Sequence, residues 1–172
     1  NIMYFVVLSA MIFPFESIML SLYSMMVSIG TYKTLISVWM VAMIGPFQIL
    51  MMRAAFLGIP EEIEDAALID GAGEWSRFWR IFLPQVRGTL TVVGLTSFIG
   101  AWSDFLFPLL MLVDNDKHTL MLELTAIQNS AQGTTYQLVL AGAVVALVPV
   151  VLVFAFSQKY FFRGIEDGGL KF

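Results

Sequence analysis

Residues 61–84 read EEIEDAALIDGAGEWSRFWRIFLP and hold six of the chain's thirteen acidic residues. Pro60 and Pro84 bracket this polar island, and long apolar segments flank it on both sides. In so apolar a chain, such a stretch must lie in water or against another protein. Its first half reads as a short amphipathic helix. Pro60 stands where a first-turn proline is tolerated, and Glu61, Glu62 and Glu64 place negative charge at the positive end of the helix dipole. Ile63, Ala66 and Ala67 recur at three- and four-residue spacing, which puts them on one face. Gly71 follows Asp70 at the position of a left-handed cap. A second segment, 74–82, carries Trp75, Phe78, Trp79 and Phe82, with Arg77 and Arg80 between them.

The composition outside the island decides the class. The chain is 59% hydrophobic and 13% charged, against about 25% charged in an average soluble domain. Four apolar segments reach the ~20 residues a bilayer requires: 2–29, 35–57, 90–113 and 138–162. Each holds one proline: Pro14, Pro46, Pro108 and Pro149. Mid-helix prolines are tolerated in membranes where neighbours satisfy the freed carbonyl. They read either as ordinary membrane-helix prolines or as kinks around a pathway. The expected fold is all-α and polytopic. With the 61–84 loop taken as cytoplasmic, Arg53, Arg77, Arg80, Arg87, Lys159, Arg163 and Lys171 lie inside or at that border, and Lys33 and Lys117 lie outside. That distribution obeys the positive-inside rule. The 30–34 turn and the 114–137 loop are then external, both termini are internal, and 119–128 reads as a short helix at the outer surface.

The loop at 61–84 resembles the cytoplasmic EAA loop of binding-protein-dependent ABC transporter permeases. Asp65-Ala66-Ala67, Gly71 and Ile81-Phe82-Leu83-Pro84 fall at the spacing of that motif, with Asp65 where Glu is usual. GAWSDFLFPLL at 100–110 is similar to a W-N-D-F-x-x-P-L stretch of the carbohydrate-type permeases, with Ser103 in place of Asn. At the C-terminus, Phe161, Arg163, Gly164, Gly168 and Lys171 match their ending, and Gly88 stands where they usually carry proline. The resemblance, closest to the maltose-permease-like second subunit of sugar importers, runs from about Met11 onward. It implies one type-1 permease domain over 1–172 containing a 60–84 coupling loop. Four spans of the family's usual six or so would be present, with two N-terminal ones outside this chain.

It also implies a prokaryotic inner-membrane protein with a cytoplasmic C-terminus, and a set of partners. These are ATPase subunits that carry ATP and Mg, a second permease subunit, an extracytoplasmic solute-binding protein and a carbohydrate. Coupling would run through Glu61, Glu62, Ile63, Glu64, Asp65, Ala66, Ala67, Asp70, Gly71, Ile81, Leu83 and Pro84, with Gly71 as the hinge.

Two carboxylates, Glu16 and Asp104, lie in apolar spans. A charge near mid-bilayer costs about 2.5–3.5 kcal/mol on insertion scales, so each is a candidate for the substrate pathway. Asp104 reads equally as a cap for backbone freed by Pro108, and Glu16 as an interfacial or protonated group. Trp102 and Phe105 flank Asp104 and could stack on apolar sugar faces. Gln128, Asn129 and Gln132 could meet hydroxyls or a docked protein, or simply be solvated. Gly142 with Ala146, and Gly94 with Ser97 and Ala101, form small-residue packing stripes.

Several classes are disfavoured. There is no cysteine and one histidine, His118, so no metal centre or thiol chemistry is expected. No basic patch suggests nucleic acid. No P-loop, nucleophile elbow or zinc-protease motif occurs, so any ATP hydrolysis would belong to a partner and the chain itself is not expected to be an enzyme. An ATP-independent transporter using Glu16 and Asp104 for ion coupling is the alternative reading.

Overall fold

The computed structural model describes residues 2–43, 45–129 and 136–168, with side chains through 158. Among these residues every regular element is helical. The apolar segments supply α1 (Ile2–Ala10), α2 (Phe15–Ser28), α3 (Leu35–Ala42) and α4 (Pro46–Leu57). The polar island supplies α5 (Glu61–Ile69) and α6 (Glu74–Arg77). A wide turn at Phe78–Phe82 joins α6 to α7 (Leu83–Gln85), and α8 (Arg87–Ser103) follows. The chain closes with α9 (Leu106–Met111), α10 (Leu120–Gln128) and the long α11 (Tyr136–Gly168).

Two segments are long and apolar enough to cross a bilayer as they stand: Leu35–Leu57, comprising α3 and α4, and Tyr136–Gln158 of α11. On α11, Leu140, Val144, Leu147, Val151 and Phe154 are all exposed. A continuous apolar surface of that extent on a helix with a mean hydropathy of 2.9 is stable against lipid, not water.

The first and third expected spans differ from the sequence reading. The 2–29 segment breaks at Met11–Pro14, and α1 and α2 are bent by 103°, far more than a proline kink. The 90–113 segment is not one helix. It starts earlier, as α8 at Arg87, and divides at Asp104–Phe105. The physical reason is Pro108. Its missing N–H would have bonded the Asp104 carbonyl four residues back, and the helix opens at that residue. Pro14 and Pro46 also stand at helix starts, where a missing N–H costs nothing, whereas α11 runs through Pro149 unbroken.

The packed core lies at one end of the molecule. Met26, Val38, Phe107, Met111, Leu112 and Leu122 form it, with Phe105, Tyr23 and Tyr32 against it. At that end the 30–34 turn meets the loop after α9, where Lys33 Nζ lies 4.0 Å from Asp114 Oδ1. The expected helix at 119–128 is present as α10, with Thr119 Oγ1 accepting from Leu122 N–H at 3.4 Å. Gly142 of α11 packs directly on Leu124 of α10, so that small-residue stripe serves packing within the chain. At the other end, the Arg53 guanidinium sits 4.3 Å above the Tyr4 ring and Phe56 stacks on Phe78. Gln132 and the C-terminal motif side chains from Phe161 onward lie outside the described part.

Candidate functional site

The first candidate is the polar loop. Its helix α5 begins after Pro60 and ends on Asp70, whose N–H bonds the Ala66 carbonyl at 3.0 Å. Gly71 then turns the chain at φ +71°, its N–H bonding Leu68 O at 3.0 Å. That conformation is unfavourable to any residue with a Cβ. Its role as a left-handed cap was therefore legible from the sequence. The faces of α5 are also fixed. Ala67 is buried at 4% exposure and Ile63 is half-buried. Glu61, Glu62, Asp65, Ala66 and Asp70 face outward, together with Leu68 and Ile69, the latter 87% exposed. Of the three small apolar positions read as one face, Ile63 and Ala67 pack inward and Ala66 does not.

One ion pair anchors this helix to the next segment. Arg77 Nη1 lies 3.4 Å from Glu64 Oε1, and the Arg77 side chain is only 14% exposed. Its buried Nε has no partner among the described residues. From Glu74 the chain stays helical through to Ser103, apart from a turn at Val86. The wide turn at Phe78–Phe82 absorbs Pro84. The Leu83 N–H reaches the Phe78 carbonyl five residues back, so the proline enters without ending the rod. Ile81 and Leu83 are half-buried in it and Pro84 is exposed. The loop is therefore mechanically continuous with α8.

The second candidate is a cavity of about 350 Å³ between α2, α3, α4 and α8. Its wall includes Phe15, Gln48, Thr96, Ser97, Ser103 and Asp104. Gln48 Nε2 donates to Ser97 Oγ at 3.2 Å across α4 and α8. Asp104 Oδ1 accepts from Phe107 N–H at 3.4 Å, so this carboxylate does cap backbone beside the Pro108 break. The other sequence candidates disperse. Glu16 is exposed and does not line the cavity. Phe105 packs on the core. Trp102 donates its indole N–H to the Ala146 carbonyl of α11 at 3.0 Å and stacks on Phe98. It lines a separate apolar cleft with Trp39. Among the described residues no three His, Asp or Glu side chains gather to hold a metal ion.

Residues 1–167 match the family model for the binding-protein-dependent transport system inner membrane component. The chain belongs to that family. It is 35% identical over 171 residues to the arabinooligosaccharides transport system permease protein AraQ of Halalkalibacterium halodurans, covering 99% of this chain and 61% of that protein. It is 32% identical to the lactose transport system permease protein LacG of Rhizobium radiobacter, covering 94% and 59%. The chain thus spans about 60% of the length of these relatives. The fold is shared with a crystal structure of a bacterial ABC transporter involved in the import of the acidic polysaccharide alginate, at a TM-score of 0.78 and 21% identity, over 94% of this chain and 61% of that one.

Within this permease fold, sequence reasoning missed Gln48, Thr96 and the outward Leu68 and Ile69, and it read Ser97 only as a packing position. The signal for Gln48 was present: an amide inside an apolar span needs a partner. Which partner it takes depends on how two segments 49 residues apart in sequence come together.

Proposed function

We propose that this chain is a membrane-spanning permease subunit of an ATP-driven, binding-protein-dependent importer for a carbohydrate. In this reading the α5 helix enters a cleft on a separate ATPase subunit, and a second permease subunit and an extracytoplasmic binding protein complete the machine. The 60–84 loop and the C-terminus face the cytoplasm of a prokaryotic cell. The names of the relatives support the substrate class. The observation that carries the coupling role is α5 itself: a short helix with exposed acidic and apolar side chains, set on a left-handed glycine and tied to α8 by a nearly unbroken helical rod.

Motion of the ATPase would move α5 as a rigid body. Glu64–Arg77 and the buried Ala67 prevent it from pivoting alone, and the 74–103 rod carries the displacement into the membrane. Glu61, Glu62, Asp65, Asp70, Leu68 and Ile69 form the docking face. Ile81, Leu83 and Pro84 shape the joint. Trp102 and Phe105 act by holding α8 and the α9 junction in place. The ion-coupled alternative gains no support, because Glu16 and Asp104 do not meet in one cavity.

The test uses the complete importer reconstituted in proteoliposomes. Gly71→Val places a β-branched residue at positive φ, where a Cβ costs roughly 1–2 kcal/mol, yet meets no neighbouring atom within 4 Å. The expected outcome is normal insertion with ATP hydrolysis no longer tied to sugar uptake. Unimpaired uptake by this variant would contradict the coupling role of the loop.

A further inference from the structure

The helical stretch between α5 and the membrane carries a side that the coupling role leaves unused. From Gly71 to Ser103 the chain holds one acid, Glu74, and three arginines, Arg77, Arg80 and Arg87. Arg77 turns inward to Glu64. Arg80 and Arg87 are exposed, and neither enters an ion pair among the described residues. Beside them Trp75 and Trp79 are 77% and 58% exposed. The tryptophans stand four residues apart and the two free arginines seven, so each pair recurs on one side of the helix. Arg77 and Ile81 turn the other way and are half-buried.

Two contacts fix the depth of this side. Phe78 stacks on Phe56 with ring centres 6.1 Å apart, and Phe56 lies in the last turn of the apolar Leu35–Leu57 span. Trp79 and Arg80 therefore stand at the level where that span leaves the bilayer. Further along, Gln48 donates to Ser97. From Gln48 to Phe56 is about 12 Å of helix, and from Ser97 to Phe78 about 28 Å. Both contacts hold only if the 78–97 stretch crosses α4 obliquely, and an oblique course keeps 74–87 close to the interface. Tryptophan is favoured at that level, its ring among the headgroups and its N–H toward water. A guanidinium presents a planar fork that matches two phosphate oxygens.

We infer that Trp75, Trp79, Arg80 and Arg87 form a binding surface for anionic phospholipid headgroups, in the leaflet that borders the polar loop. Charge complementarity selects the anionic class. Two unpaired cations face outward against Glu74 alone, and a zwitterionic headgroup brings its own ammonium to compete for the phosphate. Held there, the rod gains a fulcrum between α5 and the membrane-buried part of α8, so anionic lipid sets how much of a displacement of α5 reaches the membrane. The surface itself stands on the chain's place in a membrane and not on the importer reading.

The test replaces Trp79 by the photoreactive p-benzoylphenylalanine in the full-length protein within its complete complex. The complex is held in nanodiscs of phosphatidylcholine mixed with phosphatidylglycerol, and adducts on this chain are identified by mass spectrometry. Phosphatidylglycerol is expected among the lipid adducts at roughly tenfold its share of the bilayer or more, and Arg80→Gln or Arg87→Gln is expected to lower that enrichment about fivefold, the contribution of one basic residue near an anionic surface. Arg80→Lys keeps the charge and is expected to retain most of it. Lipid adducts in proportion to composition, unchanged by the arginine variants, overturn the headgroup surface. So does the absence of lipid adducts, whether or not a protein partner is captured in their place. The importer reading fails on a different result, the absence of ATP-driven sugar uptake by wild type, which leaves the lipid adducts and their meaning intact.

Discussion

The third and fourth apolar segments have the same ingredients and different outcomes. Each is rich in small and branched residues and carries one proline, Pro108 or Pro149. The third opens into α8 and α9, while the fourth stays helical from Tyr136 to Gly168. The difference lies in what stands near the proline. Four residues before Pro108 is Asp104, whose carboxylate bonds the Phe107 N–H and so offers the backbone a non-helical alternative. Four residues before Pro149 is Val145, which offers none. The neighbouring Ala146 carbonyl instead receives the Trp102 indole N–H from α8, one more bond at the weakened turn. A proline permits a break, and the side chains around it decide whether the break occurs.

Exchanging the prolines tests this directly. The largest effect is expected at Pro108→Ala. It returns an N–H to the Asp104 carbonyl and removes an interior proline that costs about 3 kcal/mol in an otherwise regular helix. The break should close, thermal stability should rise, and uptake should fall by more than about tenfold, a stability–activity exchange. Spin labels at Phe98 and Met111 read the closure, because thirteen residues of straight helix span about 20 Å. A spacing that stays shorter than this in Pro108→Ala would show that Asp104 alone holds the break. The smallest effect is expected at Pro149→Ala. The helix there is already continuous, so stability should change by no more than about 0.5 kcal/mol and uptake by about twofold or less. A large loss of uptake there would mean that α11 flexes at Pro149 during transport.

The sequence made the loop legible because a short helix between prolines depends on local chemistry. Acidic residues in the first turn, Gly71 after Asp70 and Pro84 at the joint each act within a few residues. Both readings of Asp104 could be written from its place before Pro108, and the structure realises the cap within a cavity wall. The 103° bend after α1 was not legible. Pro14 marks where the chain turns, but the angle follows from packing such as the edge contact of Phe15 with Phe107, 5.8 Å between ring centres. The 350 Å³ cavity was hidden for a similar reason. Gln48 comes from α4 and Thr96, Ser97 and Ser103 from α8, and only tertiary packing brings Gln48 to Ser97 and both toward Asp104. The inward turn of Ala67 and the outward turn of Ile69 likewise depend on which side of α5 rests on its own chain.

Site-directed crosslinking from the loop tests the central assignment most directly. Ile69→Cys would be the sole thiol on this chain and projects from the exposed face of α5. Thr31→Cys, in the turn at the core end of the molecule, provides the comparison. In membranes holding the complete transporter, a bismaleimide is expected to join Ile69→Cys to a P-loop ATPase identified by mass spectrometry, and to join Thr31→Cys to none. An ATPase adduct from Thr31→Cys with none from Ile69→Cys would contradict both the docking face and the orientation of the chain in the membrane.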